Sequence, residues 1–376
     1  MILGIIGGGQ LGRMLAQAAV PLGIRTRVLD PAADACAGQV TELVQARFTD
    51  ARAVGEFASG VDVLTYEFEN ILVESLANAV HGGVRVFPPL DALETSQDRL
   101  REKECFTRLG IEVPRYRAVN SEKELAEAID RVGLPAVLKT RRLGYDGKGQ
   151  ATIRSSDDAA DAWLAVAGAS CVLEAFVDFD AEFSVIGVRV STGEVMTYPA
   201  TRNVHRHGIL HSSFAPGAGL SPVAIDAGRD AVVRLLEHFA YIGVLAVEFF
   251  AVGDRIVVNE MAPRVHNSGH WTIDGTDCSQ FTSHVRAVCG LPLVKPAMRG
   301  LSAMRNLVGA VPPVAALRSL PGTHVHDYGK AARVGRKVGH VTVVANSAIE
   351  LELRFSALES MLPPSAFELA LHANPA

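Results

Sequence analysis

Glu248 and Glu260 flank a short turn-forming run, Ala251-Val252-Gly253-Asp254. A hairpin closing near Asp254 brings the two carboxylates opposite each other or nearly so, roughly 5 Å apart as a cross-strand pair. Among Val244, Val247, Val257 and Val258, two such groups repel and resist burial. A divalent cation relieves both problems, and Asn259 adds an oxygen ligand. The three side chains suit Mg²⁺, or Mn²⁺ in its place, held through carboxylates, water and phosphate oxygens. The alternative is a surface hairpin with two exposed glutamates. Upstream, Lys139 precedes Thr140-Arg141-Arg142-Leu143-Gly144-Tyr145-Asp146-Gly147-Lys148-Gly149-Gln150. Three glycines and an aspartate make a loop with freely oriented N–H groups, able to close over a triphosphate. Only seven lysines occur in the chain, and two of them stand here. The competing reading is a basic surface hairpin.

Three further segments carry polar chemistry. Gly7-Gly8-Gly9-Gln10-Leu11-Gly12 fits G-x-G-x-x-G, with Asp30 ending the next strand. That pattern places an anion at a helix N-terminus. It leaves open a dinucleotide, another phosphorylated ligand or a structural turn. Directly after Glu260 comes Met261-Ala262-Pro263-Arg264-Val265-His266-Asn267-Ser268-Gly269-His270. Arg264 offers a planar fork to carboxylate or phosphate oxygens, and His266 a proton carrier, an orienting group or a structural ring. Lys330 and Gly335-Arg336-Lys337-Val338-Gly339-His340 form a basic set for a second phosphate, or a surface turn. His205, His207 and His211 fit no zinc spacing and suggest a loop near a nucleotide.

These groups need a scaffold. Ile2 to Ile6, Arg25 to Leu29, Val61 to Tyr66 and Val84 to Phe87 read as strands. With the helix Gln10 to Leu22 between the first two, they imply a parallel sheet. Gln97 to Leu109 reads as a charged amphipathic helix. Ala136 to Lys139, Gln150 to Arg154 and Cys171 to Glu174 read as strands of a small α+β unit, with a helix from Ser156 to Val166. Glu182 to Val190 with Glu194 to Tyr198, and Val244 to Phe250 with Arg255 to Glu260, read as hairpins, with a helix over Ile225 to Ala240 between them. Beyond residue 300 the pattern shows strand-like pieces at Leu307 to Val311 and His340 to Val344. The 376 residues carry 48% hydrophobic and 20% charged side chains, enough for two or three buried cores. A net charge of −5, from 36 basic and 41 acidic residues, argues against a general nucleic-acid binder. No apolar run is long enough for a membrane span. Five scattered cysteines read as reduced thiols of a cytoplasmic protein.

The order of lysine, glycine-rich loop, strand glutamates and Asn-Glu resembles the ATP-grasp ligases. Gly9 to Leu15, Gly144 to Gln150, Ala262 to Trp271 and Gly335 to His340 resemble, within them, the 5-(carboxyamino)imidazole ribonucleotide synthetases of purine biosynthesis. The resemblance runs to about residue 340. It implies an α/β fold of ATP-grasp architecture. That fold has an N-terminal Rossmann-like parallel sheet (1–110), an ATP-grasp domain (111–298, with a small lid about 115–178) and a small C-terminal domain (299–376). The implied activity is carboxylation of 5-aminoimidazole ribonucleotide with bicarbonate and ATP through carboxyphosphate, a carbon–nitrogen ligation.

The implied site residues follow by position. Arg99, Lys139, Gly144, Tyr145, Asp146, Gly147, Lys148, Gly149 and Gln150 meet the ATP phosphates. Glu174, Ala175, Phe176 and Val177 hold adenine with backbone groups, Glu182 the ribose, and His205 and Asn259 lie at the nucleotide. Glu248 and Glu260 bind Mg²⁺. Gln10, Leu11, Glu67, Asn267, Lys330, Arg336 and Lys337 surround the ribonucleotide. Tyr145, Asp146, Arg264, His266 and Lys337 serve the catalytic step. The resemblance further implies a homodimer, no nucleic-acid or membrane partner, and hand-over of the product to a separate mutase.

Overall fold

The computed structural model describes residues 1–144 and 149–362. Its first layer is a parallel sheet of five strands, in the order Glu42–Gln45, Arg25–Asp30, Ile2–Ile6, Val63–Tyr66, Arg85–Val86. Leu3, Ile5, Ile6, Val63 and Leu64 are fully buried, as expected for strands covered on both faces. The helix Gln10–Ala19 buries Leu11, Met14, Leu15 and Ala19 along one face. A short 3₁₀ turn over Val20–Leu22 ends it, and Gly23 supplies the left-handed residue at φ 68°. The strand Glu42–Gln45 was not expected, because four residues with exposed ends and a half-buried middle give no alternation to read. The order of strand addition reverses between the two central strands, which opens a crevice at the C-terminal ends of Ile2–Ile6 and Val63–Tyr66.

A second, four-stranded antiparallel sheet runs Tyr116–Val119, Cys171–Ala175, Ala136–Thr140, Gln150–Ile153. The helices Glu122–Val132 and Ala159–Ala165 share its core through Leu125, Ile129, Leu138, Ala162 and Leu173. A third sheet joins nine strands and passes without a break from Arg255–Ala262 and Gly243–Val252 to Leu301–Val308, Lys337–Ala345 and Thr323–Asp327. The C-terminal strands enter it through Ile209–Ala215, so they extend the central sheet. The strands Thr201–Arg206 and Ile209–Ala215 turn at His207 and Gly208, both with positive φ, the backbone of a two-residue hairpin. His205 therefore sits on a strand and not on the expected loop.

Two helical readings change. The helix expected over Gln97 to Leu109 is present but shorter: Asp98 caps Arg99–Arg108, its carboxylate accepting from the Leu100 amide. The tail also holds the helix Ala348–Met361, capped by Ser347 on the Glu350 amide. A single apolar cluster contains Leu11, Met14 and Leu15 of the first layer together with Val244, Phe281 and Val285. It fixes the parallel sheet against the central one. All five cysteines are buried and free. Among the described residues no helix is long and apolar enough to cross a membrane.

Candidate active site

The helix Arg99–Arg108 places Arg99, Glu102 and Lys103 on one side, at the three- and four-residue spacing of neighbours on a helix. That side faces the strand of Glu260 and the strand Cys171–Ala175 of the four-stranded sheet. Arg99 donates to Glu260 at 3.0 Å. The amide of Met261 donates to Glu102 at 2.8 Å. Lys103, 1% exposed, donates to the Asn259 carbonyl at 2.7 Å and lies 3.4 Å from Glu174. Lys139 donates to the same Glu174 oxygen at 3.0 Å. Burial alone would raise the Glu174 carboxyl, but the charges of Lys103 and Lys139 outweigh it and hold it at about 2. Lys139 is lowered by burial, with Lys103 and Arg99 adding to the effect. This is a dense, compensated ion network built to receive charge.

Glu248 and Glu260 pair directly across the hairpin, with a bulge immediately after Glu248. Burial pushes Glu248 up to about 7, and the charges of Glu260 and Glu182 add to it although His205 opposes. Desolvation also acts on Glu260, yet Arg99 outweighs it and keeps that carboxyl low. Two facing carboxylates, one of them strained toward protonation, fit a divalent cation. Among the described residues no three His, Cys, Asp or Glu side chains converge as a metal site. An ion here would therefore draw its remaining oxygens from Asn259, water and a nucleotide. His205 bonds Glu182 at 2.8 Å. Burial opposes its charged form, but Glu182 and Glu248 raise its pKa overall.

The segment after Glu260 leads away from the carboxylates to the crevice of the parallel sheet. His266 Nε2 stands 3.8 Å from Glu248, while Arg264 stands 3.1 Å from Glu69, two residues beyond Glu67. Buried Gln280 grips His266 from both sides, accepting from its amide at 3.0 Å and donating to its carbonyl at 2.6 Å. Burial, with Arg264 and Lys337 nearby, lowers the His266 pKa well below its usual value. Both effects favour the neutral ring.

Glu67 closes the crevice by accepting from the Gly9 amide at 2.9 Å. Burial raises its carboxyl, while that bond, Arg264 and Lys330 pull the other way. Gly12 is sterically required here, and Gly9 leaves room for the Glu67 carboxylate. A Cβ on Gly9 would come 2.7 Å from Glu67, and one on Gly12 would come 2.4 Å from the Gly7 carbonyl. Lys330 donates to Gln10, and Gln39 donates to the Gly329 carbonyl at 3.1 Å. The C-terminal loop thus docks at the start of the first helix. Leu11 points into the core, so only its backbone can meet a ligand.

The structure brings Arg99, Lys139, Glu174, Asn259 and Glu260 to one cluster and Gln10, Glu67 and Lys330 to another. Arg336 is turned to the Ala331 carbonyl, beside Lys337, whose charge is felt at Glu248 and His266. Asn267 exchanges two hydrogen bonds with Asn306, at 3.0 and 2.7 Å. The Ala175 and Phe176 amides are taken by the carbonyls of Arg115 and Pro135, and Phe176 is exposed. Gly149, at φ 70°, packs on Thr140, with Gln150 opposite Lys139. Gly144 is half-buried. Tyr145, Asp146, Gly147 and Lys148 lie outside the described residues. Sequence reasoning missed Glu102, Lys103 and Gln280. The spacing of Arg99 and Lys103, in a chain with so few lysines, was the one available signal.

Models of three domains match the chain in order. They are the ribonucleotide synthetase preATP-grasp domain at residues 1–97, the ATP-grasp domain at 104–281, and the phosphoribosylaminoimidazole carboxylase C-terminal domain at 302–354. The chain is 46% identical to the N5-carboxyaminoimidazole ribonucleotide synthase of Pseudomonas aeruginosa, covering 96% of this chain and 99% of that one. The crystal structure of the synthetase from Thermus thermophilus superposes with a TM-score of 0.92 at 49% identity, covering 96% and 99% of the two chains. The Aspergillus clavatus synthase, in complex with ADP and 5-aminoimidazole ribonucleotide, superposes with a TM-score of 0.90 at 32% identity, covering 96% and 98%. With three family domains in sequence and relatives matched over nearly their whole length, the chain belongs to the N5-carboxyaminoimidazole ribonucleotide synthase family of ATP-grasp ligases.

Proposed function

We propose that this chain joins bicarbonate to the exocyclic amine of 5-aminoimidazole ribonucleotide at the expense of ATP, releasing ADP and phosphate in purine biosynthesis. One observation carries the reading. The segment Arg264–His266 spans from the carboxylate pair, at 3.8 Å from Glu248, to the Glu67–Glu69 crevice, at 3.1 Å from Glu69. A small third reactant held there would lie between a nucleotide on one side and a ribonucleotide on the other.

The residues then divide the work. Arg99 and Lys139 face the phosphates, with the loop from Gly144 to Gln150, including Tyr145, Asp146, Gly147 and Lys148, closing over them. Glu174 to Val177 hold adenine, Glu182 the ribose, and His205 and Asn259 complete that side. Glu248 and Glu260 would hold Mg²⁺ or Mn²⁺, which when bound offsets phosphate charge. A bicarbonate oxygen attacks the γ-phosphorus and the bond to ADP breaks, giving carboxyphosphate. Arg264 offers donors to the charged oxygens as they develop. The amine of the ribonucleotide then forms the new C–N bond as phosphate leaves, and the amine's proton passes to a neighbouring base. Neutral His266 has a lone pair for that proton or for orienting the acid. Gln10, the Leu11 backbone, Glu67, Asn267, Lys330, Arg336 and Lys337 surround the ribonucleotide.

The same reading takes residues 1–110, 111–298 and 299–376 as the three domains, with the lid at about 115–178. It takes the protein as a cytoplasmic homodimer that passes its product to a separate mutase. An ADP-release assay tests the activity. Turnover should require bicarbonate and the ribonucleotide together, and release unaffected by the ribonucleotide would refute it.

A further inference from the structure

Two of the segments that carry polar chemistry end in histidines to which the proposed reaction gives no role, His270 and His340. Seventy residues apart in the chain, their rings lie 4.7 Å apart in the fold. The Tyr328 hydroxyl lies between them, 2.8 Å from His340 Nδ1 and 3.2 Å from His270 Nδ1. All three side chains are at most 2% exposed. His326 stacks on His340 at 4.4 Å and 11° and anchors its own Nε2 on Asp274 at 2.7 Å.

The other end of this column reaches Asn267, whose Nδ2 lies 2.9 Å from His270 Nδ1. The amide pair between Asn267 and Asn306 has one orientation. Asn306 Nδ2 also donates to the Leu210 carbonyl at 2.8 Å, and a carbonyl can only accept. Asn306 Oδ1 therefore accepts from Asn267, and the second Asn267 N–H goes to His270 Nδ1. With that lone pair taken, the Tyr328 hydroxyl donates to His340 Nδ1, the nearer ring. Burial keeps both imidazoles neutral by lowering their pKa values well below the ordinary range.

Packing alone does not explain this choice of residues. The Nε2 atoms of His270 and His340 are buried without a partner, an arrangement that costs stability relative to apolar rings of similar size. What the column does achieve is local. His270 stands three residues after Asn267, Tyr328 two before Lys330, and His340 three after Lys337. Through the Tyr328–His340 hydrogen bond and the packing of the His270 ring on His340, the three groups tie together three chain segments that each present one residue to the ribonucleotide side.

We propose that Tyr328, His340 and His270 are positioning residues that set the register of the segments bearing Asn267, Lys330 and Lys337, and so determine affinity for the ribonucleotide but not for ATP. The inference rests on the function proposed above. Its test is steady-state kinetics of Tyr328→Phe, which keeps the ring and deletes the hydroxyl, with thermal unfolding measured alongside. The KM for the ribonucleotide should rise about tenfold, the scale of one lost buried hydrogen bond. The KM for ATP and kcat should stay within about twofold. An unchanged ribonucleotide KM, whether or not the melting temperature falls, overturns the proposal. An equal rise in both KM values does the same. If Tyr328→Phe does not fold, His340→Gln reads the same split. Wild-type ADP release that ignores the ribonucleotide would instead sink the proposed function, and this inference with it.

Discussion

The two halves of the site solve opposite problems. Around Glu174, Glu248 and Glu260 the protein buries charge against charge, with Arg99, Lys103 and Lys139 within 3.0–3.4 Å of a carboxylate. Around Asn267, His270, Tyr328 and His340 it buries neutral hydrogen-bonding groups, and its cations stay at the half-exposed rim with Lys330, Arg336 and Lys337. A nucleotide triphosphate with its cation changes the local charge by several units. A site for it must hold ionised groups ready, each already paired to limit the desolvation cost. A ribonucleotide monophosphate has one charged end and a neutral base. For that ligand, shape and orientation decide more than field strength. The contrast teaches that burial of charge marks where charge will move.

The most severe way to test this contrast is Glu260→Ala. It removes one arm of the carboxylate pair and leaves Arg99 without its partner. ADP release should fall by about a hundredfold or more, the scale of losing a group that stabilises transferring charge. Near-normal turnover would break the assignment of this half. Lys103→Met comes next. Deleting one partner from a buried ion network leaves the other uncompensated and costs about 3–5 kcal/mol. Urea denaturation should show that loss, while Lys330→Met, at the rim of the neutral half, should cost less than about 1 kcal/mol.

A smaller effect separates the halves by pH. Burial pushes Glu102 up to about 8, with Lys103 opposing and Glu260 adding. Between the ordinary carboxylate range and about pH 8, the folded protein holds a proton there that the unfolded chain has released. Stability from this group is therefore full at acid pH and lost as pH rises through about 8. Glu102→Gln imitates the protonated form and keeps an acceptor for the Met261 amide. It should flatten that decline, gaining at least about 1 kcal/mol over wild type at pH 9, one pKa unit's worth. Parallel stability profiles for the two proteins would remove Glu102 from the account. Glu174 runs the other way: held at about 2, it supports stability at neutral pH and loses that support as pH falls from the carboxylate range toward 2.

Much of this division was legible before the fold was known, where local signals sufficed. Gly253-Asp254 set the hairpin turn and brought Glu248 and Glu260 close. The turn's own register would put Asn259 opposite Glu248, and only the bulge after Glu248, which has no local signature, pairs it with Glu260. Gly7 to Gly12, between an apolar strand and an amphipathic helix, marked the crevice. What stayed hidden depended on distant packing. Glu102 and Lys103 look like the polar face of a surface helix until the strand Arg255–Ala262 lies against them. Glu174 was assigned to a backbone role, and its side chain proves to be the shared anchor of two lysines. Asn306 and Tyr328 have no local signature, since their partners are far along the chain. The helix Ala348–Met361 had a readable sign, Ser347 three residues before Glu350. The alternation of apolar and acidic residues from Ile349 to Leu353 has the period of a strand and masks that sign.

The central claim is that ATP is spent on activating bicarbonate between the two halves. Turnover with ¹⁸O-labelled bicarbonate tests it most directly. One labelled oxygen should appear in each phosphate released, because the bicarbonate oxygen that forms the bond to phosphorus stays with phosphorus when the C–O bond breaks. Phosphate free of label, with ADP formed at the full rate, would mean that water attacks ATP and would contradict the account.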